Sequence, residues 1–152
     1  MKDWREIDDA VRIEPGKTIK IAKLDTVRDT LFPDRDEAET HTTHNAKAIN
    51  ELQDRLFAER KRALLVVLQG IDTSGKDGTV RGVFNETGPL GVSITPFGKP
   101  SDEELAHDYL WRVHGAVPKK GVIGIFNRSH YEDVLVVKVR GLAPAEMVEQ
   151  RY

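Results

Sequence analysis

Gly70, Gly75 and Lys76 satisfy the spacing G-x-x-x-x-G-K within the stretch LLVVLQGIDTSGKDGTV, which runs from an apolar segment into a polar loop. Glycines at that spacing let backbone N–H groups curl around an anion, and a lysine at the following helix start adds a mobile positive charge. Thr73, Ser74 and Gly78 fill out the loop. The chemistry implied is phosphate binding; the plainer alternative is a tight strand–helix turn with an exposed lysine. Two acids flank the lysine. Asp77 stands where this pattern ordinarily carries a Ser or Thr for magnesium, and Asp72 lies inside the loop. A carboxylate aimed at a triphosphate would repel it unless cations lie between them. Magnesium takes carboxylate and water ligands, so this pair could hold one or two magnesium ions between a phosphate donor and an acceptor. Thr79 offers a hydroxyl that could partly replace the missing one. For Asp77 the competing reading is a first-turn acid favoured by the helix dipole.

A second group of candidates follows the apolar run GVIGIF (residues 121–126). Asn127 and Arg128 end that run where an acidic residue often stands, and ligands of open α/β sheets bind at the C-terminal ends of strands. Arg128 suits charge stabilisation of a phosphoryl group in transfer. Asp133 is a candidate metal ligand or a solvated helix acid. His130 is a surface or capping residue more often than a general acid, since phosphoryl transfer asks little acid–base chemistry of the protein.

The elements that must position these groups are legible in outline. Apolar residues Ile49, Leu52 and Leu56 recur at helical spacing over residues 45–62. Residues 63–69, 91–95 and 121–126 read as short strands, the first and third as parallel strands buried on both faces. Helices are expected after the loop to about residue 88, over 101–118 with Ser101 and Glu104 as a capping box, and from Pro144 onward. Residues 127–141 are ambiguous, since Ser129 could cap a helix while VLVVKV is rich in β-branched residues; helix is favoured because the chain must leave the sheet there. That alternation predicts an α/β fold, a three-layer sandwich around a parallel sheet. Residues 1–43 read as an N-terminal extension ahead of a domain over 44–152. Within the extension, 17–25 could form a short strand and 31–44 is charged and irregular.

With 152 residues, 39% hydrophobic and 32% charged, the chain is about one domain in size. The formal net charge of −2 gives no bulk attraction for nucleic acid or a membrane surface. There is no cysteine, which removes thiolate catalysis, disulfides and cysteine-based zinc sites. No run reaches the roughly eighteen apolar residues of a membrane span, and the start lacks a signal peptide's apolar core, so a cytoplasmic location is expected.

Three stretches, LLVVLQGIDTSGKDGTV, PFGKPSDEELAHDYLWRVHGAVPKKG and GIFNRSHYEDVLVVKVRG, together resemble the polyphosphate kinase 2 family in order and spacing. The resemblance reaches back through LQDRLFAERKRA and covers roughly residues 45–152. It implies a P-loop kinase-like fold and a magnesium-dependent transfer of a terminal phosphoryl group between inorganic polyphosphate and a nucleoside mono- or diphosphate. By motif, Asp72 would hold magnesium and orient the nucleophile, Lys76 would bind the transferred phosphate, and Asp77 and Thr79 would complete the loop. Arg128 and Lys99 would contact phosphate. Arg81 and Arg112 are weaker candidates that could equally be salt-bridge residues. Family members continue well past the position of Tyr152 into a basic helical lid and further strands, so this chain corresponds to their N-terminal portion and its sheet is expected to be incomplete. Self-association, through a sheet edge or the apolar faces of HYEDVLVVKV and EMVEQRY, is expected to supply the missing cover. The alternatives are an ATP-dependent small-molecule kinase and a non-catalytic phosphate-binding or assembly module.

Overall fold

The apolar segments at the centre of the chain become three short parallel strands. The computed structural model describes residues 12–23, 32 and 34–152. They form β1 (Leu64–Leu68), β2 (Val92–Pro96) and β3 (Ile123–Asn127), with β3 between the other two. Leu64 and Val92 both pair with Ile123, and Leu68 and Pro96 both pair with Asn127, so all three strands end level. The helices are α1 (Arg35–Glu59), α2 (Lys76–Phe84), α3 (Asp102–Ala106), α4 (Trp111–Ala116), α5 (Leu135–Arg140) and α6 (Ala145–Arg151). Short 3-10 turns occupy Ile21–Lys23 and His130–Asp133. The architecture is α/β around a parallel sheet.

The chain divides into two units, Met1–His44 and Asn45–Tyr152. In the first, residues 17–20 are not a strand, and residues 24 and 25 lie outside those described. The expected irregular stretch over 31–44 is instead helical from Arg35. Local bonds account for it: the Asp34 carboxylate accepts from the Glu37 N–H at 2.8 Å, and Arg35 pairs with Glu39 one turn on at 2.7 Å. Phe32 packs its ring against His41 in the same unit.

In the second unit, β3 carries the core. Ile123, Ile125 and Phe126 are buried, and burial of a side chain such as Phe126 stabilises by about 1.5–3 kcal/mol. Successive strand residues face opposite ways, so Phe126 and Gly124 share a face. There Phe126 meets the edge of Phe97, with ring centroids 4.8 Å apart, and Val113 of α4, with Leu110 and Ala116 alongside. A Cβ on Gly124 would stand 2.8–2.9 Å from three carbons of the Pro118 ring, so only glycine admits Pro118 this close. At the start of the sheet, Asn50 on α1 accepts from the Gly88 N–H at 3.1 Å, and buried Gln53 lies against Gly91.

Three expectations for the second unit change. β1 is an edge strand whose Leu64, Leu65 and Val67 remain 50%, 40% and 42% exposed, not a strand buried on both faces. The single helix expected over 101–118 is two helices. His107 is extended (φ −105°, ψ 175°), and the Asp108 carboxylate accepts from the Leu110 N–H at 2.8 Å to start the second. Residues 127–141 turn first through His130–Asp133 and are α-helical only over Leu135–Arg140.

Candidate phosphate-binding site

The level strand ends put three loops side by side. An open cleft of about 410 Å³ lies among loop residues 72–77, residues 96–98 at the end of β2, and Asn127 and Arg128 at the end of β3. Two backbone bonds extend the ladder past the strands: the Phe97 N–H donates to the Asn127 carbonyl and the Arg128 N–H to the Leu68 carbonyl, both at 2.9 Å. Arg128 is thereby drawn towards the end of β1, where the phosphate loop begins.

The loop is closed by tight turns. A Cβ on Gly70 would stand 2.7 Å from the Ser74 hydroxyl, and Gly75 takes a left-handed φ of 87° immediately before α2. Thr73 and Arg128 also have left-handed φ, 66° and 67°. Non-glycine residues rarely adopt that conformation, and of the three described residues that do, Arg60 lies elsewhere while Thr73 and Arg128 line the cleft. Lys76, the first residue of α2, curls back so that Nζ donates to the carbonyls of Gly70 (3.0 Å) and Ile71 (2.8 Å) and lies 3.2 Å from the Ser74 hydroxyl. The ammonium is therefore held over the loop that an anion would enter.

Charges alternate across the cleft. Arg128 donates one guanidinium nitrogen to the Asp72 carboxylate and the other to Glu132 at 3.3 Å. The Asp72 hydrogen bond, with the charges of Glu132 and Asp72, raises the Arg128 pKa above its ordinary value. The Asp77 carboxylate accepts from the Asn127 amide at 2.6 Å, tying the first turn of α2 to the end of β3.

Of the residues singled out in the sequence, Asp72, Thr73, Ser74, Gly75, Lys76, Asp77 and Arg128 line this cleft. Gly70 opens the loop and Gly78 lies in the first turn of α2. The Thr79 hydroxyl is turned back to the Gly75 carbonyl at 3.1 Å. Lys99 is exposed just past the cleft wall, and Arg81 borders a separate groove with Phe84 and Val92. Arg112 and Asp133 are paired with each other at 2.8 Å, both nearly buried. The Arg112 guanidinium also donates to the Gly98 carbonyl at 2.9 Å and lies over the Phe97 ring. The His130 ring stacks on Tyr131, and its Nδ1 is buried without a hydrogen-bond partner.

Sequence reasoning passed over Asn127 as a bonding partner, the Phe97–Gly98 wall, and the Gln69, Ser129 and Glu132 side chains behind Arg128. Glu132 lies four residues after Arg128, a spacing that could have suggested the pairing.

Among the described residues, no group of three or more His, Asp or Glu side chains is arranged to hold a metal. That does not oppose magnesium, which binds through one or two carboxylates with substrate phosphates and water. Asp72, 65% exposed at the cleft, and Asp77 fit this requirement. Asp133, nearly buried against Arg112 and not among the residues lining the cleft, does not.

Comparison with known proteins decides the family. The family model for polyphosphate kinase 2 matches residues 33–152. The chain belongs to the polyphosphate kinase 2 family. It is 45% identical over 143 residues to an AMP/ADP-polyphosphate phosphotransferase of Meiothermus ruber, a match covering 93% of this chain and 53% of that protein. An ADP-polyphosphate phosphotransferase of Rhodopseudomonas palustris is 35% identical over 128 residues, covering 84% of this chain and 44% of the relative. The crystal structure of Polyphosphate Kinase 2 from Arthrobacter aurescens TC1 superposes with a TM-score of 0.83 at 38% identity, over 95% of this chain and 52% of that one. The chain thus spans about half the length of these family members. Among its described residues no helix is long and apolar enough to cross a membrane.

Proposed function

We propose that this chain carries the phosphoryl-transfer centre of a polyphosphate-dependent nucleotide phosphotransferase. The observation that carries the reading is the meeting of Lys76, Asp72, Asp77 and Arg128 around one open cleft at the C-terminal ends of the strands. In this reading the terminal phosphoryl group of inorganic polyphosphate passes to a phosphate oxygen of a nucleoside mono- or diphosphate. The acceptor oxygen forms a new P–O bond, the bond to the penultimate phosphate breaks, and the shortened polyphosphate leaves. Loop N–H groups and Lys76 bind the group in transfer, and Arg128 balances the charge on its oxygens. Asp72 and Asp77 are the residues that would hold magnesium, which would screen phosphate charge from the carboxylates and help stabilise the charge of the group in transfer. The acceptor class follows the M. ruber relative, whose name specifies AMP and ADP.

The deciding experiment supplies magnesium, polyphosphate and ADP or AMP to the purified chain and measures nucleotide phosphorylation. ATP as sole donor is the comparison. Transfer from polyphosphate supports the reading; transfer from ATP alone would replace it with an ordinary kinase, and polyphosphate binding without transfer would replace catalysis with a binding role. We also infer self-association, supported by the exposed apolar residues of edge strand β1. Sedimentation as a monodisperse monomer would refute it.

A further inference from the structure

Behind Arg128 lies a chain of side-chain hydrogen bonds that the phosphate reading does not use. Ser129, fully buried, accepts from the Tyr131 N–H at 3.2 Å, so its hydroxyl proton is directed to the Gln69 amide oxygen at 3.0 Å. That contact fixes which way the Gln69 amide faces. Its NH₂ group is then turned to Glu132, where it donates to one carboxylate oxygen at 2.9 Å. The other oxygen of Glu132 remains for Arg128, which it meets at 3.3 Å. Glu132 is 14% exposed against 36% for Arg128 and 65% for Asp72, so the chain runs from the buried interior out to the cleft. Each group is turned to the partner it bonds, and the last of them, Glu132, meets the guanidinium at one nitrogen while Asp72 meets it at another.

We infer that Glu132 is a positioning residue for Arg128, itself oriented by Gln69 and Ser129, and that it keeps the guanidinium in place when Arg128 exchanges Asp72 for a phosphate oxygen. This rests on the phosphate role proposed for Arg128. Asp72 is the exposed partner and can give up the arginine; Glu132 is the enclosed one and cannot. A glutamine at 132 would not substitute. It has one acceptor oxygen where two donors, from Gln69 and Arg128, converge, and its own NH₂ would face one of them.

The test turns on a sign. Glu132 is an anion beside a proposed anion site, so charge alone predicts that Glu132→Gln tightens binding of inorganic tripolyphosphate. Positioning predicts the reverse, a loss of about tenfold, the scale seen when the outer support of a metal-binding side chain is removed. Affinities are measured by titration calorimetry on the full chain, for the parent, Glu132→Gln, Arg128→Ala and the double variant. If Glu132 acts through Arg128, its substitution costs nothing further once Arg128→Ala is present. Tighter binding in Glu132→Gln, or an equal loss in both backgrounds, would overturn the inference. Should Glu132→Gln fail to fold, Gln69→Leu probes the same chain from its inner end and is expected to weaken binding only where Arg128 is present. Lys76→Ala separates the two levels: if the parent fails to bind, or Lys76→Ala binds as well as the parent, the phosphate-loop reading falls and takes this inference with it.

Discussion

Lys76 is the residue on which the phosphate reading depends most directly. Its ammonium contacts only loop carbonyls and one hydroxyl at the edge of an open cleft, so Lys76→Ala leaves no buried cavity. Tripolyphosphate binding should be lost while stability changes by no more than about 0.5 kcal/mol, the range of substitutions away from core features. Calorimetry and thermal unfolding on the same sample check both halves. Asp72→Asn keeps the shape and removes the charge. It should raise the magnesium concentration needed for half-maximal transfer and slow transfer at saturating metal, and an unchanged magnesium titration would leave Asp72 as a structural loop residue. These groups could be read from sequence because phosphate loops are local: glycine spacing and the lysine fix the geometry within a few residues. Gln69 and Ser129 could not, and Glu132 only through its i,i+4 spacing from Arg128. The rest of that chain comes from pairings across 60 or so positions, 63 for Gln69 with Glu132 and 60 for Gln69 with Ser129. Arg112 was ambiguous for the same reason, since its partner Asp133 lies 21 positions away.

At the scale of elements, the sequence carried strands and caps better than boundaries. The Ser101–Glu104 capping box is formed in both directions, because its two bonds need only local residues of the right type. The break between α3 and α4 has no proline or glycine to announce it; it comes from the Asp108 turn and from the Tyr109 hydroxyl donating to the Arg151 carbonyl at 2.8 Å. The extra turns of α1 were missed because one ion pair and the Asp34 cap, not an apolar stripe, support them. One pairing between elements carries a pH dependence. Lys138 on α5 donates to Glu149 on α6 at 2.8 Å, and this hydrogen bond, reinforced by charge, lowers the Glu149 pKa and raises that of Lys138. The Glu149 contribution to stability is present above its unfolded pKa and is lost as pH falls through the depressed folded value. The Lys138 contribution is present below its unfolded pKa and is lost as pH rises through the raised folded value. Stability from the pair should therefore hold across the neutral range and fade at both extremes, and Glu149→Gln should flatten that share of the acid limb in pH-dependent unfolding. Both groups are exposed, so added salt should blunt the difference.

Within the second unit, β3 is the strand with which both other strands pair. Gly124→Ala would drive a methyl group into the Pro118 ring at the middle of the central strand. A loss of about 1–3 kcal/mol is expected, as for other overpacked cores, read as a lower denaturation midpoint in urea. β1 shows what sequence could not say: an unbroken apolar segment looks the same whether a strand is covered or stands at an edge. The ladder bonds from Phe97 to Asn127 and from Arg128 to Leu68 have a thermodynamic consequence. They make the cleft a joint property of three strand ends, so local opening at any one of them dismantles the binding surface. A ligand that recognises only the assembled cleft then acts as a brake on those openings. At a free tripolyphosphate concentration one hundred times its dissociation constant, the added unfolding free energy should approach about 2.7 kcal/mol. Amide hydrogen exchange should slow at Phe97 and Arg128 together, though they follow different strands, because the occupied cleft lets neither end fray without releasing the other.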